Sequence, residues 1–141
     1  MRRRPQIRVV AAVIERDGKI LVCQRRSTDR HALKWEFPGG KIEAEEEPRD
    51  ALKRELREEL DLDATIGEEI SRYEYSYQGR TPIILIFFRV TTFVGEPRNM
   101  IFRQMVWESR GRLPEYDFLD GDVDFVRRLA RDELDLTSNE L

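Results

Sequence analysis

Three glutamates near the middle of the chain are the residues most suited to chemistry. Glu58 and Glu59 follow Glu55 at three and four residues, a spacing that places the side chains on one face of a helix. Like charges at this spacing destabilise an isolated helix by roughly 0.2–0.5 kcal/mol per pair. A divalent cation reverses that cost, and Mg²⁺ binds through carboxylates together with substrate phosphates. The spacing therefore predicts a magnesium site.

An ordinary explanation competes with the metal site. Glu, Arg and Leu are good helix formers, and a solvated helix of mixed charge has the same composition. The residues upstream favour the metal. Gly39 and Gly40 follow Pro38 shortly before the helix, and glycines let the backbone approach a ligand or a metal closely.

The arrangement resembles the signature of the Nudix hydrolases. That signature runs Gly, five residues, Glu, seven residues, Arg-Glu, an aliphatic residue, any residue, Glu-Glu, any residue, Gly and an aliphatic residue. Asp61 replaces the last glycine, and Asp tolerates the left-handed conformation better than most residues. The positions that match the signature are Gly40, Glu46, Arg54, Glu55, Leu56, Glu58, Glu59 and Leu62.

The resemblance implies a fold, a cofactor and a set of catalytic residues. The fold is of the α/β class, an αβα sandwich with a mixed β-sheet between helices. Mg²⁺, with Mn²⁺ as a substitute, is bound by Glu55, Glu58 and Glu59, and the carbonyl of Gly40 contributes. Arg54 pairs with a glutamate and holds it in place. The metal shields the charge of a diphosphate and activates the water that attacks it.

The stretch 35–43 is similar to MutT-type members of the family, which hydrolyse nucleoside triphosphates, including 8-oxo-dGTP, to the monophosphate and pyrophosphate. Each substrate-binding candidate also has a structural explanation: a surface arginine, a loop histidine, core or sheet-packing aromatics, or a helix N-cap at Asp122. An ionised Asp122 only accepts hydrogen bonds, which keeps cytidine and 8-oxo-guanine nucleotides both open. The substrate-binding candidates are Arg26, His31, Phe37, Tyr77, Arg80 and Asp122.

The catalytic base is less defined by the resemblance. MutT-type proteins usually carry a further acidic residue shortly before the tryptophan of the last strand, where this chain has Ile101 and Gln104. Glu96 and Glu108 are weak substitutes. The helix glutamates are the other source of a base.

Strands and helices that position these residues follow from hydrophobic periodicity. Residues 7–14 and 19–24 predict two strands joined by an Asp17-Gly18 hairpin turn. Residues 46–60 predict a helix and residues 119–131 a second one. Two further strand segments span 66–77 and 82–93, and a short strand spans 104–108. The unbroken apolar run 83–88 predicts a central strand covered on both faces, with one helix on each side.

Composition limits the partners of the protein. The chain has 141 residues, enough for one domain, predicted over residues 1–131 with a flexible tail at 132–141. A net charge of -3 argues against binding a nucleic acid polymer. The single cysteine excludes an internal disulfide. We expect a cytoplasmic protein without a membrane span, a monomer or homodimer, whose partner is a small nucleotide.

Other functions stay open from the sequence alone. Another substrate with a diphosphate link, such as a nucleotide sugar or a dinucleoside polyphosphate, needs the same metal site. A catalytically silent nucleotide-binding module is a third hypothesis. Such a module has no need for three mutually repelling carboxylates, which disfavours it.

Overall fold

The computed structural model describes residues 6–131. Nine strands and two helices lie within this range, together with two short 3₁₀ segments at Arg110–Glu115 and Asp120–Asp122. In chain order the elements are β1 (Ile7–Arg16), β2 (Lys19–Gln24), β3 (Trp35–Glu36), β4 (Gly39–Lys41), α1 (Pro48–Leu60), β5 (Asp63–Thr65), β6 (Glu69–Tyr75), β7 (Ile83–Val90), β8 (Thr92–Val94), β9 (Gln104–Ser109) and α2 (Val123–Ala130).

The sheet is mixed and is organised around β1. This strand pairs in parallel with β7 along its length, from Ile7 against Ile83 to Ile14 against Val90. It also pairs antiparallel with β4 and, past the hairpin, with β2. Strand β7 lies between β1 and β6, which confirms the prediction of a central strand over 83–88.

Two hydrophobic cores lie on opposite faces of this sheet. Side chains of β1 alternate between them, because successive residues of a strand point to opposite faces. Val10 and Ile14 pack with α1, whereas Ala11 and Val13 pack with α2. The prediction of one helix on each side is therefore confirmed, and so is the α/β class.

Helix α1 begins and ends as its sequence suggests. Pro48 occupies the first turn, where its missing N–H does no harm. Asp61 closes the helix at φ 50° and ψ 42°. Its backbone N–H donates to the Arg57 carbonyl at 3.0 Å, and the N–H of Leu62 donates to the Leu56 carbonyl at 3.3 Å. The aspartate that replaces the family's glycine thus adopts the left-handed conformation that the glycine would favour.

Several predicted boundaries differ from the structure. The segment 66–77 contains only β6, and β5 precedes it at Asp63–Thr65. The segment 82–93 divides into β7 and β8, which pair with different strands. Periodicity could not show these divisions because each run is continuously strand-like. The tail predicted at 132–141 lies outside the described residues, and the division at residue 131 stays a prediction. Within the described part, no helix is long and apolar enough to span a membrane.

Candidate functional site

A cavity of about 300 Å³ runs from the glutamates predicted to bind the metal on α1 to Asp122, the residue predicted to contact the base. One end is formed by the Gly39-Gly40 strand and by Glu59 of α1. The other end is formed by Phe37 and by Asp122 at the start of α2. We call it the central cavity. Its remaining lining residues are Val9, Val10, Ala11, Arg25, His31, Glu36, Lys41, Tyr77, Ile83, Leu85, Ile101 and Leu119.

Glu55 and Glu59 lie side by side on the face of α1 that meets β4. Their carboxyl groups are close enough to influence each other's pKa. Glu59 is 9% exposed and also accepts a hydrogen bond from the Gly39 N–H at 3.2 Å. Burial, reinforced by the charges of Glu55 and Glu36, raises the pKa of Glu59. Burial likewise raises the pKa of Glu55.

Arg54 ties the acidic helix to the turn that precedes it. Its guanidinium donates to Glu46 from Nε at 2.8 Å and from Nη2 at 3.0 Å. It also donates to the Lys41 carbonyl at 3.2 Å and to Glu55 at 3.2 Å. Hydrogen bonds from Arg54 and from the Glu43 N–H lower the pKa of Glu46 to about 2. The structure thus gives Arg54 the orienting position that the resemblance implies.

Gly40 permits the approach of Glu55 to the strand. A methyl group built on Gly40 would lie 2.6 Å from the Glu55 carboxyl carbon and 2.9 Å from its Oε1. No real side chain fits at that distance. The carboxylate therefore lies directly against the Gly40 backbone.

The carboxyl groups of Glu55 and Glu59 supply oxygen donors of the kind that a divalent metal site needs. Within residues 6–131, no group of three or more Asp, Glu, His or Cys side chains is arranged to hold an ion. The reason is that Glu58 points toward Arg54, at 3.5 Å, and is 59% exposed. Glu55 and Glu59, with Glu58 on the same helix, would hold a divalent cation, which would offset the repulsion between their carboxylates. The donor set consists of oxygens, as Mg²⁺ and Mn²⁺ require.

Asp122 occupies the far end of the central cavity. It is 6% exposed, and no side-chain hydrogen bond from it caps α2 although it stands at the N-cap position. Burial, with a contribution from the charge of Glu36, raises its pKa to about 8. The carboxyl group is therefore largely protonated at neutral pH and can donate as well as accept a hydrogen bond. The raised pKa differs from the expectation of an ionised, acceptor-only Asp122.

Aromatic side chains surround the same end. Phe37 is 3% exposed and stacks on Phe118 at 5.3 Å between ring centroids, so it fills core and lines the cavity at once. The His31 ring lies 5.1 Å from that of Tyr77. The Tyr77 hydroxyl accepts a hydrogen bond from the Gly121 N–H at 3.2 Å. These contacts bring the loop after β2 and the turn after β6 together over Asp122.

The structure places Arg25, and not Arg26, in the central cavity. Arg26 is exposed and its N–H bonds the Asp29 side chain. Arg25 forms an ion pair with Glu36 at 3.2 Å. Burial raises the pKa of Glu36 to about 7, although Arg25 opposes the shift. Sequence reasoning missed Glu36; the available signal was a charged residue between Trp35 and Phe37 directly before the glycines.

The loop before β9 lines the central cavity with an apolar residue, and not with the acidic residue that MutT-type proteins usually carry there. Ile101 lines the central cavity, and Gln104 donates to the Gln24 side chain at 2.7 Å. Glu96 pairs with Arg16, and Glu108 accepts from Tyr116 at 2.6 Å. Neither glutamate lines the cavity. Arg80, the remaining candidate, lines a neighbouring cavity together with His31 and Tyr77.

Comparison with known proteins agrees with this site. A family model described as the NUDIX domain matches residues 4–138. The chain is 43% identical over 117 residues to the CTP pyrophosphohydrolase of Escherichia coli (strain K12), covering 83% of this chain and 86% of the relative. It is 37% identical over 126 residues to the putative 8-oxo-dGTP diphosphatase 2 of Mycobacterium tuberculosis (strain ATCC 25618 / H37Rv), covering 87% of each.

A solved structure shares the architecture. The solution structure of the E. coli ORF135 protein superposes with a TM-score of 0.82 at 36% identity, and the match covers 95% of each chain. The family match spans nearly the whole chain. The chain belongs to the Nudix family and is a hydrolase of that family.

Proposed function

We propose that the protein hydrolyses a nucleoside triphosphate, either an 8-oxo-dGTP-like or a cytidine nucleotide, to the monophosphate and pyrophosphate. The observation that carries the proposal is the central cavity, which runs from Glu59 and the Gly39-Gly40 strand to Asp122. A nucleotide laid along it has its phosphates near the carboxylates and its base near Asp122. The names of the two relatives, a CTP pyrophosphohydrolase and a putative 8-oxo-dGTP diphosphatase, support the same substrate class.

Different residues of the chain have different roles in the proposed reaction. Glu55, Glu58 and Glu59 would hold Mg²⁺, which when bound neutralises phosphate charge and lowers the pKa of a water molecule. Arg54 orients Glu55 and braces the turn before the helix. The backbone of Gly39 and Gly40 lets the substrate lie close to the carboxylates. Since Ile101 and Gln104 offer no acid, the acidic helix itself is the source of the catalytic base.

Recognition of the base rests on Asp122 and its aromatic neighbours. A protonated Asp122 presents one donor and one acceptor, which pairs with a base edge that carries both. Cytosine offers an amino donor beside a ring acceptor, and an 8-oxo-guanine edge offers donors beside carbonyl acceptors. Phe37 is held in place by Phe118 and Phe125. The part of its ring that lines the cavity therefore forms a rigid wall against the nucleotide base.

The test is a nucleotide screen with Mg²⁺ in which the phosphate product is identified. We expect pyrophosphate and a monophosphate from a triphosphate, and loss of turnover by orders of magnitude in Glu59→Gln with the fold retained. Glu47→Gln, an exposed glutamate outside the site, is the matched control. Turnover only of nucleotide sugars or dinucleoside polyphosphates would replace the proposed substrate. Near-normal turnover in both Glu58→Gln and Glu59→Gln would contradict the metal site.

A further inference from the structure

The backbone that leads into Asp122 is held by two tyrosine side chains. The Tyr73 hydroxyl donates a hydrogen bond to the Gly121 carbonyl at 2.6 Å. The Gly121 N–H donates a hydrogen bond to the Tyr77 hydroxyl at 3.2 Å. The two tyrosines lie 48 and 44 residues before Gly121 in the chain, so these contacts join distant segments. We call the two hydroxyls and the Gly121 backbone the tyrosine clamp.

The absence of a side chain at Gly121 lets the tyrosine clamp form. Gly121 is buried. A methyl group built on it would lie 3.0 Å from the Tyr77 hydroxyl and 3.2 Å from a ring carbon of Tyr75. Because interiors are close-packed, a larger residue here would push the neighbouring side chains away. The short hydrogen bonds of the clamp therefore depend on the glycine.

The Asp122 carboxyl group has no hydrogen bond that fixes it directly. It lines the central cavity and is 6% exposed. Among the residues that the structure describes, none forms a hydrogen bond or an ion pair with this carboxyl group. Buried polar groups normally have a partner, so the carboxyl group is available to a ligand in the cavity. Its position then depends on the backbone that carries it, which the tyrosine clamp holds.

Tyr73 acts from outside the central cavity. Tyr77 lines that cavity, whereas Tyr73 is not among its lining residues. The Tyr73 ring stacks on Phe87, with 5.8 Å between ring centroids, and Tyr73 is paired with Leu85 of β7. A nucleotide in the cavity therefore does not touch the Tyr73 hydroxyl. Any effect of this hydroxyl on the substrate must pass through the Gly121 backbone.

We propose that Tyr73 is a positioning residue for base recognition, and that the tyrosine clamp holds the Asp122 carboxyl group where it contacts the base. The inference rests on the proposed function, in which Asp122 contacts the base. Hydrogen bonds weaken steeply when their distance or angle changes. A shift of the Gly121 backbone therefore weakens the bond to the correct base more than it weakens apolar contacts with any base. The clamp accordingly sets the selectivity among bases.

The first experiment measures kcat/KM for the preferred nucleotide and for one with a different base. Tyr73→Phe removes the hydroxyl and keeps the ring in the core. The preferred nucleotide should lose about three- to tenfold in kcat/KM, the equivalent of one hydrogen bond, chiefly through KM. The other nucleotide should change little, so the selectivity falls. Equal losses for both nucleotides, or an unchanged ratio, would overturn the proposal.

Tyr116→Phe is the matched control. It removes a partly buried hydroxyl that donates to Glu108 at 2.6 Å and does not line the central cavity. A merely structural role of a tyrosine hydroxyl lowers the melting temperature without changing the selectivity, and this is the result expected for Tyr116→Phe. The same result for Tyr73→Phe would contradict its role in positioning.

A double variant tests whether Tyr73 acts through Asp122. Residues that act through one another show non-additive effects, whereas independent residues show additive ones. Adding Tyr73→Phe to Asp122→Asn should therefore cause little further loss of selectivity. A further three- to tenfold loss in the double variant would show that Tyr73 acts by another route, and would refute the clamp.

The last experiment measures base recognition without turnover. Nucleoside monophosphates that differ in their base are titrated calorimetrically into the metal-free protein. The preference of the wild type for one base should fall about three- to tenfold in Tyr73→Phe and persist in Tyr116→Phe. An unchanged preference in Tyr73→Phe, or a wild type that binds all bases alike, would refute the inference. If no triphosphate yields pyrophosphate, the proposed function fails, and this titration still decides whether the clamp sets base selectivity.

Discussion

At the scale of single residues, two buried carboxyl groups and one partly buried carboxyl group line one cavity. Glu36, Glu59 and Asp122 all line the central cavity, and burial raises the pKa of each. The charge of Glu36 raises the pKa of the other two further. Since burying several unpaired charges together is costly, the protein without ligand keeps protons on some of these groups. A metal ion offers the carboxylates a charged partner in place of a proton, whereas a nucleotide base offers Asp122 a hydrogen-bonding partner.

Asp122→Asn tests the protonation state of the base-recognition residue. The pKa of Asp122 is raised to about 8, so the wild-type carboxyl group loses its proton as the pH rises through that value. We expect kcat/KM of the wild type for its preferred nucleotide to change across pH 8, and the asparagine variant to lack that component because its amide does not titrate. A pH profile of both proteins, for two nucleotides with different bases, measures the effect. Identical profiles would remove Asp122 from base recognition.

The raised pKa of Glu59 predicts how stability depends on pH in the metal-free protein. The folded state holds a proton that the unfolded state releases near pH 4.5, so stability falls as the pH rises above that value. Melting temperatures measured in a chelator should therefore drop from mildly acidic to alkaline pH. Glu59→Gln should flatten the slope, and Mg²⁺ should raise the alkaline melting temperature of the wild type more than that of the variant. An equal Mg²⁺ effect in both would contradict the assignment of Glu59 as a ligand.

At the scale of elements, strand β4 contains two adjacent glycines, and each is needed for a different reason. A methyl group on Gly39 would meet the backbone of Val10 and Ala11 in the neighbouring strand. A methyl group on Gly40 would meet only the carboxylate of Glu55. The backbone cannot yield without breaking the β1–β4 pairing, whereas a side chain can rotate. Gly39 is therefore needed for the pairing of β1 with β4, and Gly40 for the position of the Glu55 carboxylate.

Single alanine substitutions separate these two tasks. Gly39→Ala should lower the free energy of unfolding by about 1–3 kcal/mol, as overpacking does, and urea denaturation measures this loss. Gly40→Ala should keep most of the stability but displace Glu55, which lowers metal-dependent turnover by roughly 10- to 100-fold or more. Gly111→Ala, where the added methyl group meets no neighbour within 4 Å, is the control. Reversed effects at the two positions would contradict this division.

At the scale of the whole molecule, the sheet fixes the position of the α1 carboxylates relative to Asp122. Strands β1 and β7 send alternate side chains to the two cores, so α1 and α2 are fixed to opposite faces of the same strands. Helix α1 carries the carboxylates, and α2 follows directly on Asp122. The stacked rings of Phe87 and Phe125, 3.8 Å apart, fasten α2 to the sheet. The geometry of the central cavity therefore depends on both cores.

Phe125→Ala tests this dependence. The side chain is fully buried, and its truncation should lower the free energy of unfolding by about 3–5 kcal/mol. Phe125→Leu is milder and keeps the variant folded; its KM should rise more than its kcat falls, because Asp122 shifts while the acidic helix does not. Val94→Ala, at a side chain that is 73% exposed, should change stability by less than about 0.5 kcal/mol. A fall in kcat alone in Phe125→Leu would contradict the separation of the two ends.

The sequence by itself determined the local features. Spacing along one helix placed Glu55 and Glu59 on a common face, and periodicity predicted β1, β2, α1 and the central β7, because each depends on residues that are close in the chain. The left-handed turn at Asp61 is local in the same way. These parts were predictable because short-range geometry links them to the order of residues.

Only the tertiary structure decided which distant residues meet. Arg25 rather than Arg26 faces the cavity, where it pairs with Glu36 of the neighbouring strand β3, and Glu36 itself was missed. Asp122 proved to be buried and unused as a cap, since packing of α2 on the sheet sets its surroundings. Arg30, Lys41 and Arg80 line one cavity although they come from three separate segments of the chain. Burial and long-range contact set protonation and pairing, and neither is encoded by spacing along the chain.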